Sequence, residues 1–303
     1  MRRTFIFLML LSVLGCRQST DKYDSPQKGT INISVDESFR PVIEEQIRMY
    51  HHSYPGTQIN ASYKTEADCF KDLYFDSATR MIIVTRGLSE KEEKFFRDSL
   101  NYVPSWNPVA TDAIAVIVNA SDPDTLFTLS ELKERLSGKL KDRQIVFDGL
   151  NATATVRYVM DSIMKGEPFD TSVVKAAKSS RGVIDHVGAS SNAIGLIGIN
   201  HIGNPEDQEQ VQLLKKVRIA YLMCEDCEGK PYVKPIQESI MFGRYPMVRG
   251  LYYINKENYT GLGSGFSAFL KNERGQLIFR RAYLSPVMEL KIRRVNINDK
   301  LPY

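Results

Sequence analysis

The chain has 303 residues, is 43% hydrophobic and 25% charged, and carries 40 Lys and Arg against 36 Asp and Glu, a formal charge of +4. That length holds two ordinary domains or one large one, and the composition excludes collagen-like, low-complexity and wholly disordered chains. A surplus of +4 gives little support for a nucleic-acid binder, so no nucleic-acid partner is expected.

Arg2 and Arg3 precede an apolar run, Phe5 to Leu14 (FIFLMLLSVL). A membrane-crossing helix needs about 20 apolar residues, so this run is too short to cross and reads as a secretory signal core. Val13-Leu14-Gly15-Cys16 resembles a bacterial lipobox, which predicts cleavage before Cys16 and lipid on Cys16. The alternative is a signal cut elsewhere. Loss of residues 1–15 leaves 288 of 303, and loss of Arg2 and Arg3 leaves 38 basic residues against 36 acidic, a surplus of +2. Residues 16–28, polar throughout Arg17 to Lys28, read as a linker. No later run approaches membrane length, so the remainder is expected to be soluble and tethered at one end.

Ile31 to Val35 is a β-prone run, followed by Pro41 near a helix start and by Ile43, Ile47 and Tyr50 at helical spacing. Gln58 to Tyr63 alternates like a strand. Thr65-Glu66-Ala67-Asp68 opens the next helix as a loose capping box. Met81 to Val84 reads as a buried strand, and Leu88-Ser89-Glu90 leads into a helix to about Arg97. This β-α-β-α-β-α succession predicts parallel strands. Further strands are predicted at Ala113 to Val118, Ile145 to Phe147, Ile194 to Ile199, Val217 to Met223 and Leu251 to Ile254. Ser130 to Leu136 is a helix stopped by Gly138, and Val156, Val159, Met160, Ile163 and Met164 mark another. Asp148 to Thr155 is a small-residue loop between them. Phe266 to Tyr283 holds two closing helices. The class is α/β, with two domains expected.

Cys224 and Cys227 lie in a loop of acidic residues, where a local disulfide in an oxidising compartment and two free thiols fit the sequence equally. Cys69 reads as a small packed residue on a helix. The His residues 51, 52, 186 and 201 show no ligand spacing, so no metal is expected. No nucleophile elbow, Walker loop or metalloprotease motif is present, and neither catalysis nor a cofactor is expected. Three helix starts carry hydroxyls directly after strands: Ser38, Thr65, and Thr153 with Thr155. Unpaired N–H groups and the helix dipole at such ends suit an oxyanion. Each is also an ordinary N-cap when it stands alone.

Several stretches resemble the phosphate-binding proteins of bacterial ABC importers, in the lipoprotein form found in Bacteroidetes-type bacteria. They include 29–41 (GTINISVDESFRP), 107–139 (NPVATDAIAVIVNASDPDTLFTLSELKERLSGK), 146–159 (VFDGLNATATVRYV) and 240–255 (IMFGRYPMVRGLYYIN). The resemblance implies a type II periplasmic binding protein fold, with two α/β lobes and a ligand cleft between them. Lobe 1 would be 29–108 with 240–303, and lobe 2 would be 109–239. It implies phosphate contacts at Ser38 and the Phe39 amide, near Thr65 and Glu66, and at Thr153-Ala154-Thr155.

Two positions depart from the family. Thr85-Arg86 stands where an Asp is expected to accept a phosphate proton, and Gly149 stands where an Arg is expected. The expectation is that Arg86 supplies the guanidinium, with Glu66 as proton acceptor or as its orienting partner. The implied function is a lipid-anchored monomer in the cell envelope, periplasmic or surface-facing, that delivers phosphate to an ABC permease and its ATPase. Alternatives are a phosphate sensor or a binder of another oxyanion. A less favoured one is an envelope interaction protein using the basic run Lys291-Ile292-Arg293-Arg294.

Overall fold

The structure, a computed structural model, describes residues 24–149 and 153–288. The expected signal, Cys16, most of the linker, residues 150–152 and the basic run 291–294 lie outside the described residues. No helix among the described residues is long and apolar enough to cross a membrane.

The first elements follow the predicted succession: β1 (Gly29–Asp36), α1 (Arg40–Ser53), β2 (Thr57–Lys64), α2 (Glu66–Phe75), β3 (Thr79–Val84) and α3 (Glu90–Leu100). β1 pairs in parallel with β2 on one side and β3 on the other, as the crossover helices between them require. The cap predicted at Thr65 forms, and the structure adds one at Ser89. Thr65 Oγ1 accepts from the Asp68 amide at 3.2 Å, and Ser89 with Glu92 makes a reciprocal capping box.

The long strand β4 (Ser105–Asn119) comes next, then β5 (Leu126–Phe127), α4 (Leu129–Leu136), β6 (Gln144–Phe147) and α5 (Ala154–Tyr158). Gly138 ends α4 at φ 75°, where a Cβ would also meet the Asp170 carboxylate at 1.9 Å. The helix predicted over 156–164 starts two residues early, and its end widens into a π turn over Val159–Ile163. There follow β7 (Val174–Ala176), α6 (Ser180–Ala189), β8 (Ala193–Gly198), α7 (Gln208–Leu213), β9 (Val217–Ile219) and β10 (Tyr221–Met223). The one strand predicted at 217–223 is thus two. At Ala220 the chain leaves β4 and joins a small sheet with β5 and β11 (Tyr232–Val233). The last elements are α8 (Gln237–Met241), β12 (Val248–Asn255), α9 (Leu262–Lys271), α10 (Glu273–Arg281) and β13 (Ser285–Pro286). Cys224 and Cys227 are joined, and Cys69 is fully buried on α2.

Strands run in the order β2-β1-β3-β12-β4-β8-β6-β7, with β9 and β13 also on β4. β4 and β12 are antiparallel and pass between two apolar cores. Val109 and Ala110 pack with Ile31, Ile33, Phe39, Leu251, Phe266 and Phe279. Ala113 to Val118 pack instead with Phe147, Val159, Ile194 and Leu196. Ile240, Tyr245 and Met247 join this second core, while Leu251 and Tyr253 belong to the first. A third cluster, around Leu73, Ile82 and Phe96, lies under α2 and α3.

Pro108 has no amide to give to the ladder, and the register with β12 shifts there. Leu251 faces Ala110, and Tyr252 faces Pro108, so Val109 is the extra residue. Its carbonyl accepts from buried Gln276 at 2.9 Å. At the N-terminal end, Asp24 accepts from the Leu262 amide at 2.7 Å, and Tyr50 donates to the Pro26 carbonyl. The last part of the expected linker is therefore fastened to the first core.

Candidate functional site

Where β4 and β12 pass from one core to the other, each carries one charged residue in an apolar run. Arg249 lies directly opposite Asp112 in the ladder. Its Nε donates to Asp112 Oδ2 at 2.9 Å, and the side chains are 3% and 0% exposed. Arg249 Nη1 donates to Thr155 Oγ1 at 3.3 Å, and the guanidinium lies over the Phe39 ring, 5.1 Å from its centroid. Gly198 leaves room for this group. A Cβ there would meet Arg249 Nη2 at 3.4 Å and Asn200 Nδ2 at 3.0 Å.

Polar atoms without a hydrogen-bond partner among the described residues gather around this arginine. They are Arg249 Nη2, Asp36 Oδ2, Asp112 Oδ1, Asp148 Oδ1 and Asn200 Oδ1, all buried. Buried polar atoms are rarely left unpaired, so such a group marks a binding site more readily than a packing site. Asp36 sits at the end of β1, and its Oδ1 accepts from the Ser38 amide at 2.8 Å. Burial pushes its carboxyl up to about 7, against the pull of Arg249. Burial also raises Asp112 and Asp148 above the usual carboxylate range. Burial opposes the charge on Arg249, but Asp112, Asp36 and Asp148 outweigh it and keep the guanidinium protonated.

The structure brings several of the predicted residues to this place. Ser38 and Phe39 form the turn leading into α1, and both are buried. The Ser38 carbonyl accepts from Asn200 Nδ2 at 3.0 Å and lies 2.9 Å from His201 Nε2. Burial lowers His201 to about 4, so the ring is neutral and donates through Nε2. Thr153 caps α5 by accepting from the Val156 amide at 3.3 Å, and Ala154 and Thr155 are fully buried just inside that helix.

Thr65, Glu66 and Arg86 are engaged elsewhere. The Thr65 hydroxyl donates to Asp68 Oδ2 at 2.8 Å as well as capping α2. Glu66 Oε1 accepts from the Thr85 amide at 2.8 Å and the Thr85 hydroxyl at 2.5 Å, and Oε2 accepts from Arg157 Nε. Burial works against the Glu66 charge, but Arg157 and Thr85 prevail and hold it below the usual range. A carboxylate in the first turn of α2 already occupies that helix's positive end. Arg86 is 37% exposed, pairs with Glu92 at 2.7 Å, and stacks 3.8 Å from the Phe70 ring centroid. It lines the same cavity as Glu66 and Arg157.

Asp36, Asp112, Asp148, Arg157, Asn200, His201 and Arg249 were not singled out from the sequence. A signal existed for two of them: Asp112 interrupts VATDAIAVIV, and Arg249 interrupts MVRGLYYI. A charge inside a buried-strand pattern has to be paired or used. Among the described residues no group of His, Cys, Asp and Glu is arranged to hold a metal ion. The arrangement can hold an oxyanion. A guanidinium fork and a hydroxyl donate, while carboxylate oxygens accept from any proton the anion carries.

Residues 21–274 match the family described as the PBP superfamily domain. The phosphate-binding protein PstS of Pseudomonas aeruginosa is 25% identical over 210 residues, covering 62% of this chain and 61% of that protein. The chain thus spans less than two thirds of the length of that relative. A Clostridium perfringens structure described as a phosphate ABC transporter substrate-binding protein, with bound phosphate, superposes at a TM-score of 0.70. It is 20% identical, over 86% of this chain and 100% of that one. An ABC-type phosphate transport receptor from Vibrio cholerae superposes at 0.63 with 17% identity, over 84% and 99% of the two chains. These structural likenesses carry the fold, the type II periplasmic binding protein architecture expected from the sequence. The chain belongs to the PBP superfamily, a family of solute-binding proteins.

Proposed function

We propose that the chain binds inorganic phosphate at Arg249 and serves as the substrate-binding component of an ABC phosphate importer. One observation carries the reading. A fully buried guanidinium lies between two cores with Nη2 unpartnered among the described residues, beside the Thr155 hydroxyl and three carboxylates that each have a free oxygen. A phosphoryl group that still carries a proton matches both sets: its oxygens take the donors, and its hydroxyl meets a carboxylate. Sulfate has no proton to give at neutral pH and would face those oxygens unpaired. The relative from Pseudomonas aeruginosa is named a phosphate-binding protein, and the Clostridium perfringens structure holds phosphate, which supports the choice of anion.

In this reading Ser38, Phe39, Thr153, Ala154 and Thr155 line the ligand. Arg249 takes the part expected of Arg86, and Asp112, whose Oδ1 is unpartnered among the described residues, takes the acceptor part considered for Glu66. The two cores act as two lobes joined by β4 and β12, and phosphate binds as they close. Mature protein begins at Cys16, is anchored there by lipid outside the inner membrane, works as a monomer, and hands phosphate to a permease and its ATPase. Calorimetric titration with phosphate and with sulfate tests the ligand. Saturable one-to-one binding of phosphate but not sulfate is expected. Sulfate binding as tight as phosphate would favour a general oxyanion binder, and no binding of either would remove the reading.

A further inference from the structure

Arg157 makes its best contacts across the cavity that lies between its own helix and α2. It belongs to α5, whose neighbours Val156 and Val159 pack in the second core. Yet Arg157 Nε donates to Glu66 Oε2, Nη2 lies 3.3 Å from Glu66 Oε1, and Nη2 donates to Thr85 Oγ1 at 2.5 Å. Glu66 and Thr85 stand on α2 and at the end of β3, with the first-core side. On its own side Arg157 has Asp161 at 3.4 Å, an exposed neighbour one turn along.

We propose that Arg157 is a latch between the lobes: its fork closes on Glu66 and Thr85 and sets how long the closed form lasts. The inference rests on the two-lobe reading above, but not on the identity of the ligand.

Three features make this pair a latch rather than fixed packing. The Glu66 side chain is 3% exposed, whereas Arg157 is 36% exposed, so one partner is fixed and the other reaches to it from solvent. Both line an open cavity of about 550 Å³ between α2 and α5, at the rim where the cores face each other. Each partner also keeps other contacts when the pair parts. Glu66 retains the amide and hydroxyl of Thr85, and Arg157 retains Asp161 and water. Neither charge is stranded, so opening avoids the penalty that makes most buried ion pairs hard to break. Two states of comparable free energy are what a binding protein needs in order to trap and then release.

The same contacts explain why Glu66 is not free to meet a ligand. Both its oxygens are engaged by Thr85 and Arg157. Closure is therefore driven partly by protein groups, and truncating one side of such a pair acts chiefly on dissociation.

The test uses Arg157→Ala, Glu66→Gln and the double variant in the full soluble chain. Small-angle X-ray scattering without any added ligand should show a larger radius of gyration in each variant than in the parent. Stopped-flow release of phosphate should quicken by about tenfold in each single variant, with the double variant no faster than the singles, because both remove one interaction. Arg157→Lys, which keeps the charge but loses the fork, should recover part of the slow release. Unchanged scattering in both single variants overturns the latch, and so do additive effects in the double variant. If phosphate does not bind at all, the scattering still decides the latch while the ligand reading fails separately. Glu66→Gln, close in shape to the parent, carries the comparison if Arg157→Ala does not fold.

Discussion

Arg249 and Asp112 face each other across β12 and β4 at the point where both strands leave one apolar core for the other. The pair is buried, with Nε 2.9 Å from Oδ2. Its location joins fold to function. The strands linking the cores also hold the guanidinium, so in the proposed two-lobe reading a ligand there touches the connection between the lobes.

Thr155 is the one hydroxyl bonded to Arg249 among the described residues. Thr155→Val keeps the shape and removes that group. Phosphate affinity should fall about tenfold, the cost of one charge-assisted hydrogen bond. Arg86→Ala, which removes the half-buried partner of Glu92, should leave affinity within about twofold, since its guanidinium is already held by Glu92 and the Phe70 ring. Calorimetry on both variants checks the contrast.

Proton uptake on binding follows from Asp36. Its carboxyl titrates at about 7 without ligand, so it is about half protonated at neutral pH. An anion placed beside it raises that value further, and protons must be taken up. Titrations at pH 7 in two buffers of different ionisation heat should show uptake, and Asp36→Asn should remove up to about half a proton of it. Equal uptake in parent and variant would exclude Asp36.

Stability against pH has two opposed contributions. The fold holds His201 at about 4, below its ordinary 6.5, so its stabilising effect is present above 6.5 and is lost as pH falls toward 4. Asp36 is raised from 3.8 to about 7, so its effect is present below 3.8 and is lost as pH rises through 7. His201→Gln removes the first alone. Relative to the parent, the variant should gain stability as pH drops from 6.5 to 4, on the order of 2 kcal/mol, in urea unfolding followed at several pH values.

Gln276 ties the bulge in β4 to α9 and the chain after β13. It donates to the Val109 and Leu270 carbonyls at 2.9 and 2.7 Å, and accepts from the Val287 and Met288 amides at 2.8 and 3.2 Å. Gln276→Leu should cost about 3 kcal/mol, because buried backbone groups lose their partners. Thermal unfolding of the variant measures it.

Much of the fold was legible because its signals are local. The periodicity of Val156, Val159 and Ile163, the cap at Thr65, and Gly138 after α4 all act within a few residues. Short strands such as Leu126–Phe127 were missed because two residues cannot show alternation. The site was legible in part. Ser38, Thr153 and Thr155 announce helix starts, but Arg249 meets Asp112 only through a pairing of strands 137 residues apart. Arg86 follows β3, at the position where the family resemblance expects an Asp, yet Glu92, already part of the α3 capping box, holds its guanidinium. Which of two nearby carboxylates wins an arginine is decided by packing, not by spacing.

The most direct measurement is phosphate titration of the parent beside Arg249→Lys. Lysine keeps a positive charge against Asp112 but cannot also reach Thr155 and the ligand with a planar fork. Saturable one-to-one binding by the parent is predicted, with a loss of at least about a hundredfold in the variant while its thermal unfolding stays cooperative. Equal affinity in the two proteins, or no binding by the parent, would contradict the assignment of Arg249 as the anion's principal donor.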